Sequence, residues 1–223
     1  MEFDLESKLL AVLEQHARSR SASPFAKSGT ELLVMPQVSV GQVIPDLVVV
    51  RSVTSVRSAR PSKEIRLTGL ESWVVGELLA TGALAESTLT YRLFTRTEST
   101  RAALAKLEKA GVVRRTEAET YILTADFSTR FEIVSVEAKL TKWRAAIEQA
   151  KTYLRFSDET FIALPASVID RNPRIYDRCI VEGVGLLAVT KRGVRVAVAP
   201  RSAAKPDPRE KTWVLAKTGA LQL

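Results

Sequence analysis

Apolar residues recur at helical spacing in the first twenty positions. Leu5, Leu9, Val12, Leu13 and His16 share one face, which predicts a helix over residues 1–20, and Ser19–Ser28, with Pro24, reads as a loop. Two runs rich in Val, Ile and Leu, Glu31–Val40 and Gln42–Ser52, flank Gly41 and predict a strand–turn–strand unit. The polar, basic stretch Ser55–Lys63, with Pro61, reads as a linker. Three helical patterns follow, over Gly69–Ala80, Glu86–Phe94 and Ser99–Ala110, with Gly111 ending the last. Val112–Arg115 and Thr120–Leu123 then predict two short strands around a polar tip.

The β pattern returns at Phe131–Leu140. Alternation sets Ile133, Ser135, Glu137 and Lys139 on one face and Val134, Val136, Ala138 and Leu140 on the other. A helix is expected over Thr141–Arg155, with Trp143, Ile147, Ala150 and Leu154 inward, then a strand at Thr160–Leu164 and a helix at Arg174–Val181 carrying Cys179 as a core residue. Gly185–Thr190 and Val194–Ala199 form a hairpin, Pro200–Glu210 reads as loop, and Trp213–Leu215 as a last short strand. The outer parts make one α/β domain with a second domain nested inside it. The expected boundaries are 1–63 and 126–223 for the two parts of the core and 64–125 for the insertion.

Composition narrows the chemistry. The chain has 223 residues, 46% hydrophobic and 26% charged, enough to bury a real core. A single cysteine excludes an internal disulfide and a multi-cysteine zinc site; a single histidine, His16, removes nearly all imidazole-based catalysis, so carboxylates and lysines are the candidates. No apolar run is long enough to cross a membrane, and Glu2, Asp4 and Glu6 do not open the chain as a signal peptide does, which gives the expectation of a cytoplasmic protein. The 33 Lys and Arg against 25 Asp and Glu leave a net charge of +8, an excess that suits a polyanionic partner, nucleic acid before a membrane surface.

Glu137 and Lys139 lie two apart on one strand, so their side chains point the same way. Asp46, after Pro45, sits in an apolar strand run, where a carboxylate is costly unless paired or bound to a cation. Two carboxylates brought together offer hard oxygen ligands for Mg²⁺ or Mn²⁺. A lysine beside them can orient a water or stabilise charge building on a phosphate.

Pro45-Asp46 and Glu137-Ala138-Lys139 resemble the PD-(D/E)XK nuclease motif. The order of elements is also similar to that superfamily: helix, hairpin carrying the Asp, strand carrying ExK, helix, strand. Gln149 and Tyr153, at i and i+4 on the helix after Lys139, resemble the QxxxY motif of its RecB-like branch, with Lys142 along the same stripe. The resemblance implies a restriction-endonuclease-like core, a mixed central sheet flanked by helices, and a Mg²⁺- or Mn²⁺-dependent deoxyribonuclease. Asp46, Glu137 and the Ala138 carbonyl would hold the metal, Lys139 would position or activate the attacking water, and Gln149 and Tyr153 would line the site. Glu6 matches an acidic residue of the first helix that serves as an extra metal contact in many members; as a bare sequence feature it is equally a first-turn glutamate favoured by the helix dipole.

The departure from the family is the 91 positions between Asp46 and Glu137, which the inserted domain explains. That domain resembles a winged helix-turn-helix, with Thr100–Arg115 similar to its recognition helix and first wing strand. Arg96, Arg101, Lys106, Arg114 and Arg115, together with Lys142, are the candidate DNA contacts. Residues 66–123 nevertheless hold 8 Lys and Arg and 7 Asp and Glu, so most of the positive charge lies elsewhere, in Arg51, Arg57, Arg60 and Lys63 of the linker, in the helix after Lys139 and towards the C-terminus. The insertion therefore also reads as a packing or homodimerisation module. The rival to the nuclease is a catalytically inactive DNA-binding regulator or adaptor on the same fold, and RNA is a weaker alternative partner.

Overall fold

Apolar stripes of period 3.6 and runs of β-branched residues alternate along the chain, and most become the elements they predict. The computed structural model describes residues 3–19, 24–27, 30–53, 67, 69–124, 131–201 and 205–219. In chain order the elements begin α1 (Glu6–Arg18), β1 (Thr30–Pro36), β2 (Leu47–Val53), α2 (Gly69–Thr81), β3 (Leu84–Ala85), α3 (Glu86–Arg92), α4 (Thr97–Lys109), β4 (Val113–Arg115) and β5 (Thr120–Leu123). They continue as β6 (Phe131–Ala138), α5 (Trp143–Tyr153), β7 (Glu159–Pro165), α6 (Ala166–Arg171), α7 (Arg174–Glu182), β8 (Gly185–Thr190), β9 (Gly193–Val198) and α8 (Pro208–Lys217). The expected linker, with Arg57, Arg60 and Lys63, lies outside the described residues. The chain divides into two units, Met1–Thr54 with Glu132–Pro206, and Ser55–Phe131 with Asp207–Leu223.

The first unit is α/β. Its six-stranded sheet runs β1-β2-β6-β7-β8-β9. β1 and β2 pair antiparallel, β6, β7 and β8 run parallel, and β9 returns antiparallel, which makes the sheet mixed. The parallel pairs need crossovers, and α5 and then α6 with α7 supply them. One face buries Leu9, Leu13 and Ala17 of α1 against Leu47 and Val49 of β2 and Val134, Val136 and Ala138 of β6. The other buries Ala146, Ile147 and Ala150 of α5 with Ile169, Ile175 and Cys179 against Ile162, Leu164 and Leu186. Leu5, expected on the inward face of α1, sits just before the first helical turn and is exposed; the buried stripe starts at Leu9. Burial pushes the Cys179 thiol up to about 12, consistent with a core residue. Gly185 has no room for a side chain: a Cβ there would lie 2.4 Å from the ring of buried Phe161.

Arg51 is not in a linker. It lies in β2 with its side chain 3% exposed, its Nε 2.9 Å from Glu132 and an Nη 2.8 Å from Glu159. Lys27 reaches the same two carboxylates at 2.8 and 3.0 Å. The cluster ties the end of β2 to the starts of β6 and β7 and removes one cation from the surface available to a polyanion.

The second unit packs α2, α3 and α4 with a small sheet in the order β3-β5-β4. Val74, Val75 and Leu78 of α2, Leu89 of α3, Leu104 and Leu107 of α4, and Val113 are all buried there. The C-terminal segment, expected with the core and as a strand at Trp213–Leu215, is instead helix α8 of this unit. Two local features account for it. Asp207 caps the helix, its carboxylate accepting the Arg209 N–H at 2.8 Å, and Pro208 begins it. Gly76 of α2 admits it, since a Cβ there would lie 2.5 Å from the Arg209 Cα.

Burial alone would raise the Glu159 carboxyl, but hydrogen bonds from Arg51 and Lys27 outweigh it and hold the group below its usual range. A carboxyl depressed in the folded state gives its full stabilisation above the ordinary carboxylate pKa and loses it as pH falls through the folded value. Glu159→Gln is therefore expected to be about 2–4 kcal/mol less stable at pH 7, the gap closing as pH falls into the acid range, read by urea denaturation across pH.

Candidate active site

Asp46 stands immediately before β2, and Lys139 immediately after β6. Because β2 and β6 are neighbours in the sheet, the two meet despite the chain between them. The Gln37 N–H donates to the Asp46 carbonyl at 3.2 Å, extending the β1–β2 ladder by one step and fixing the backbone there. One Asp46 carboxylate oxygen, Oδ2, accepts the Ala138 N–H at 2.8 Å, a direct bond from the approach to β2 to the end of β6. On the other side, Lys139 continues the β6–β7 pairing, its N–H donating to the Ala163 carbonyl at 3.1 Å.

Alternation sends Val134, Val136 and Ala138 to the α1 side, and Glu137 to the side of α5. The Glu137 side chain is 3% exposed. Its Oε2 accepts the Tyr153 hydroxyl at 2.6 Å and its Oε1 meets the Lys139 ammonium at 2.8 Å. The same ammonium lies 3.9 Å from Asp46 Oδ2 and 3.7 Å from Glu6 Oε2. Glu6 comes from the first turn of α1 and is half exposed. One lysine thus sits among three carboxylates drawn from α1, the edge of β2 and the end of β6.

Burial raises the Glu137 carboxyl above its usual range, and the hydrogen bonds from Lys139 and Tyr153 offset only part of that. Burial would lower Lys139, but its hydrogen bond to Glu137 and the charges of Glu137, Asp46 and Glu6 prevail and raise it. Burial and then the hydrogen bond to Glu137 raise the Tyr153 phenol, so it acts as a neutral donor. The resting site is an ammonium-centred acidic cluster.

As a metal centre the donor chemistry fits: Asp46 and Glu137 offer hard carboxylate oxygens, and Asp46 Oδ1 accepts no hydrogen bond among the described residues. Among the described residues no group of three or more Asp, Glu, His or Cys is gathered to hold an ion, so the fit rests on the donor chemistry of Asp46 and Glu137, with Glu6 3.7 Å from the ammonium they share.

The remaining sequence candidates separate. Gln149, one turn before Tyr153 on α5, is exposed, and its side chain makes no hydrogen bond among the described residues. Lys142 is exposed just before α5. In the second unit, Arg101 pairs with Glu86 at 2.9 Å, Lys106 with buried Glu71 at 2.8 Å and Arg115 with Glu119 at 3.0 Å. Arg96 and Arg114 are exposed. Sequence reasoning missed the Ala138 N–H as the donor that holds Asp46; the neighbouring position of β2 and β6, which creates that bond, has no signal in either strand alone.

No family model matches the chain, and no curated protein matches it. Among solved structures, the SPO1766 protein of unknown function from Silicibacter pomeroyi matches over 48% of this chain and 73% of its own, at 15% identity and a TM-score of 0.29. A likeness that slight carries no argument.

Tyr153→Phe leaves a buried Glu137 oxygen without its donor and is expected to cost about 1–3 kcal/mol in urea denaturation. Gln149→Ala, on the exposed side, is expected to stay within about 0.5 kcal/mol of the parent.

Proposed function

We propose that the protein is a Mg²⁺- or Mn²⁺-dependent DNA nuclease of the PD-(D/E)XK type. The observation that carries this reading is the meeting of Asp46, Glu137 and Lys139 at the end of two neighbouring strands, with Glu137 and Asp46 at 2.8 and 3.9 Å from one ammonium. A decayed site would have little reason to keep a 3%-exposed carboxylate beside a second acid.

Asp46 and Glu137, with the Ala138 carbonyl, would hold the metal, which when bound supplies Lewis acidity at the scissile phosphate and a more acidic water. Lys139, kept as an ammonium by its acidic neighbours, would orient the attacking water and offset charge building on the phosphate oxygens. Tyr153 would fix the Glu137 carboxylate through its 2.6 Å hydrogen bond. Glu6 would tune the site from its rim.

For the second unit we propose a winged helix-turn-helix that engages DNA. The order α2, β3, α3, α4, β4, β5 supports it, being the helix, short strand, two helices and two-stranded wing of that class. Arg96 and Arg114 would be its phosphate contacts; Arg101, Lys106 and Arg115 would first have to leave their carboxylates.

The test is incubation of the full chain with single- and double-stranded DNA and with RNA, in Mg²⁺ or Mn²⁺. Cleavage of DNA is expected, falling about a hundredfold or more in Lys139→Ala and Asp46→Asn and less in Glu6→Gln. Metal-independent binding of DNA without cleavage would replace this reading with that of an inactive DNA-binding adaptor.

A further inference from the structure

The second unit contains a cavity of about 440 Å³ whose lining residues all belong to that unit. Half-buried Trp73 of α2 and Trp213 of α8 form part of its wall, their rings 5.9 Å apart. Phe94, in the turn between α3 and α4, stands on its rim, 93% exposed. Its φ of 50° lies in the left-handed region that disfavours any residue with a side chain. The backbone cause is local: Phe94 is the residue after the C-cap of α3, its N–H on the Tyr91 carbonyl and the Thr95 N–H on the Thr90 carbonyl, both at 3.2 Å, as in a Schellman ending. That ending holds the ring out in solvent beside the cavity, 6.4 Å from the ring of exposed Tyr91.

The polar part of the lining offers hydrogen-bond donors, its two cations being balanced by Glu77 and Asp207. Glu77 is 1% exposed, and its two carboxylate oxygens are taken by Arg209 at 3.2 Å and Arg92 at 3.3 Å. Arg209 Nε also faces Asp207 at 3.4 Å. The carboxylate is thus occupied, whereas the two guanidinium side chains are 43% and 41% exposed and keep further N–H donors. Aromatic walls beside two braced guanidinium groups suit a planar ring carrying an anionic group, and the volume suits a small molecule.

We propose that this cavity binds a single nucleotide unit, its base against the rings of Phe94 and the two indoles and its phosphate on Arg92 and Arg209. Bases stack on aromatic side chains whatever their sequence, and arginine forks match phosphate oxygens. The nucleotide is either free or an unpaired residue of a DNA strand. The proposal does not rest on the catalytic reading, since none of its residues belongs to the acidic cluster.

The experiment is done on the full chain in EDTA, so that cleavage plays no part. Mononucleotides and the matching nucleosides are titrated by calorimetry. Labelled duplexes with blunt ends or with unpaired overhangs are titrated by anisotropy. Saturable binding of mononucleotides, about tenfold or more tighter than of nucleosides, supports a free nucleotide; preference for overhangs over blunt ends, with or without mononucleotide binding, supports a nucleotide within DNA. Phe94→Asn removes the ring while suiting the left-handed backbone, so its melting temperature is expected to be unchanged or higher as binding falls about tenfold. Arg92→Lys keeps a cation for Glu77 but loses the fork, and is expected to weaken nucleotide and not nucleoside. No binding of any of these probes, or binding unchanged in both variants, would overturn the proposal.

Discussion

The Lys139 ammonium is what allows the acids of the first unit to share one place. Glu137 is nearly excluded from water, and a carboxylate so placed without a cation or donors would be costly enough to neutralise or to leave. Lys139 at 2.8 Å and the Tyr153 hydroxyl at 2.6 Å make its position tenable. Asp46 is held by different means, a main-chain N–H from Ala138, so it reaches the same ammonium without depending on it. The arrangement is a charge balance that a divalent cation could enter, because one monovalent cation faces three carboxylates.

That balance depends on β2 and β6 lying side by side, and the sheet secures the pair at both ends. At one end Asp46 accepts the Ala138 N–H. At the other, Arg51 of β2 grips Glu132 of β6 and Glu159 of β7, with Lys27 beside them. Between the ends, Leu47 and Val49 of β2 and Val134 and Val136 of β6 share one apolar core with α1. A long excursion of the chain between neighbouring strands costs little more loop entropy than a short one, so contacts of this kind can hold the pair together across the insertion.

Much of this was legible in the sequence because it rests on local periodicity. The alternation in Phe131–Leu140 put Glu137 and Lys139 on the same side, and the structure has them in contact. That Tyr153 stands beside Glu137 was implied by the resemblance to the QxxxY motif and not by spacing, and its hydroxyl meets Glu137. What the sequence concealed was tertiary. Arg51 reads as part of a basic, polar stretch but is buried in β2 on Glu132 and Glu159, partners that lie some eighty and more than a hundred positions away and so leave no local signal. The α8 segment reads as a loop followed by an apolar triplet; its helical state follows from the Asp207 cap and its place in the second unit from the space at Gly76. Gln149 shares a stripe with Tyr153 by spacing alone, yet one is exposed and the other buried, since burial changes sharply along the edge of a helix face.

The most direct measurement is anomalous diffraction from crystals of the full chain grown with Mn²⁺. A peak bound by Asp46 and Glu137 is expected, with the Lys139 ammonium displaced from Glu137 Oε1, and no such peak in crystals of Asp46→Asn. An undisturbed lysine among its three carboxylates at saturating Mn²⁺, or manganese bound only elsewhere, would refute a metal site there.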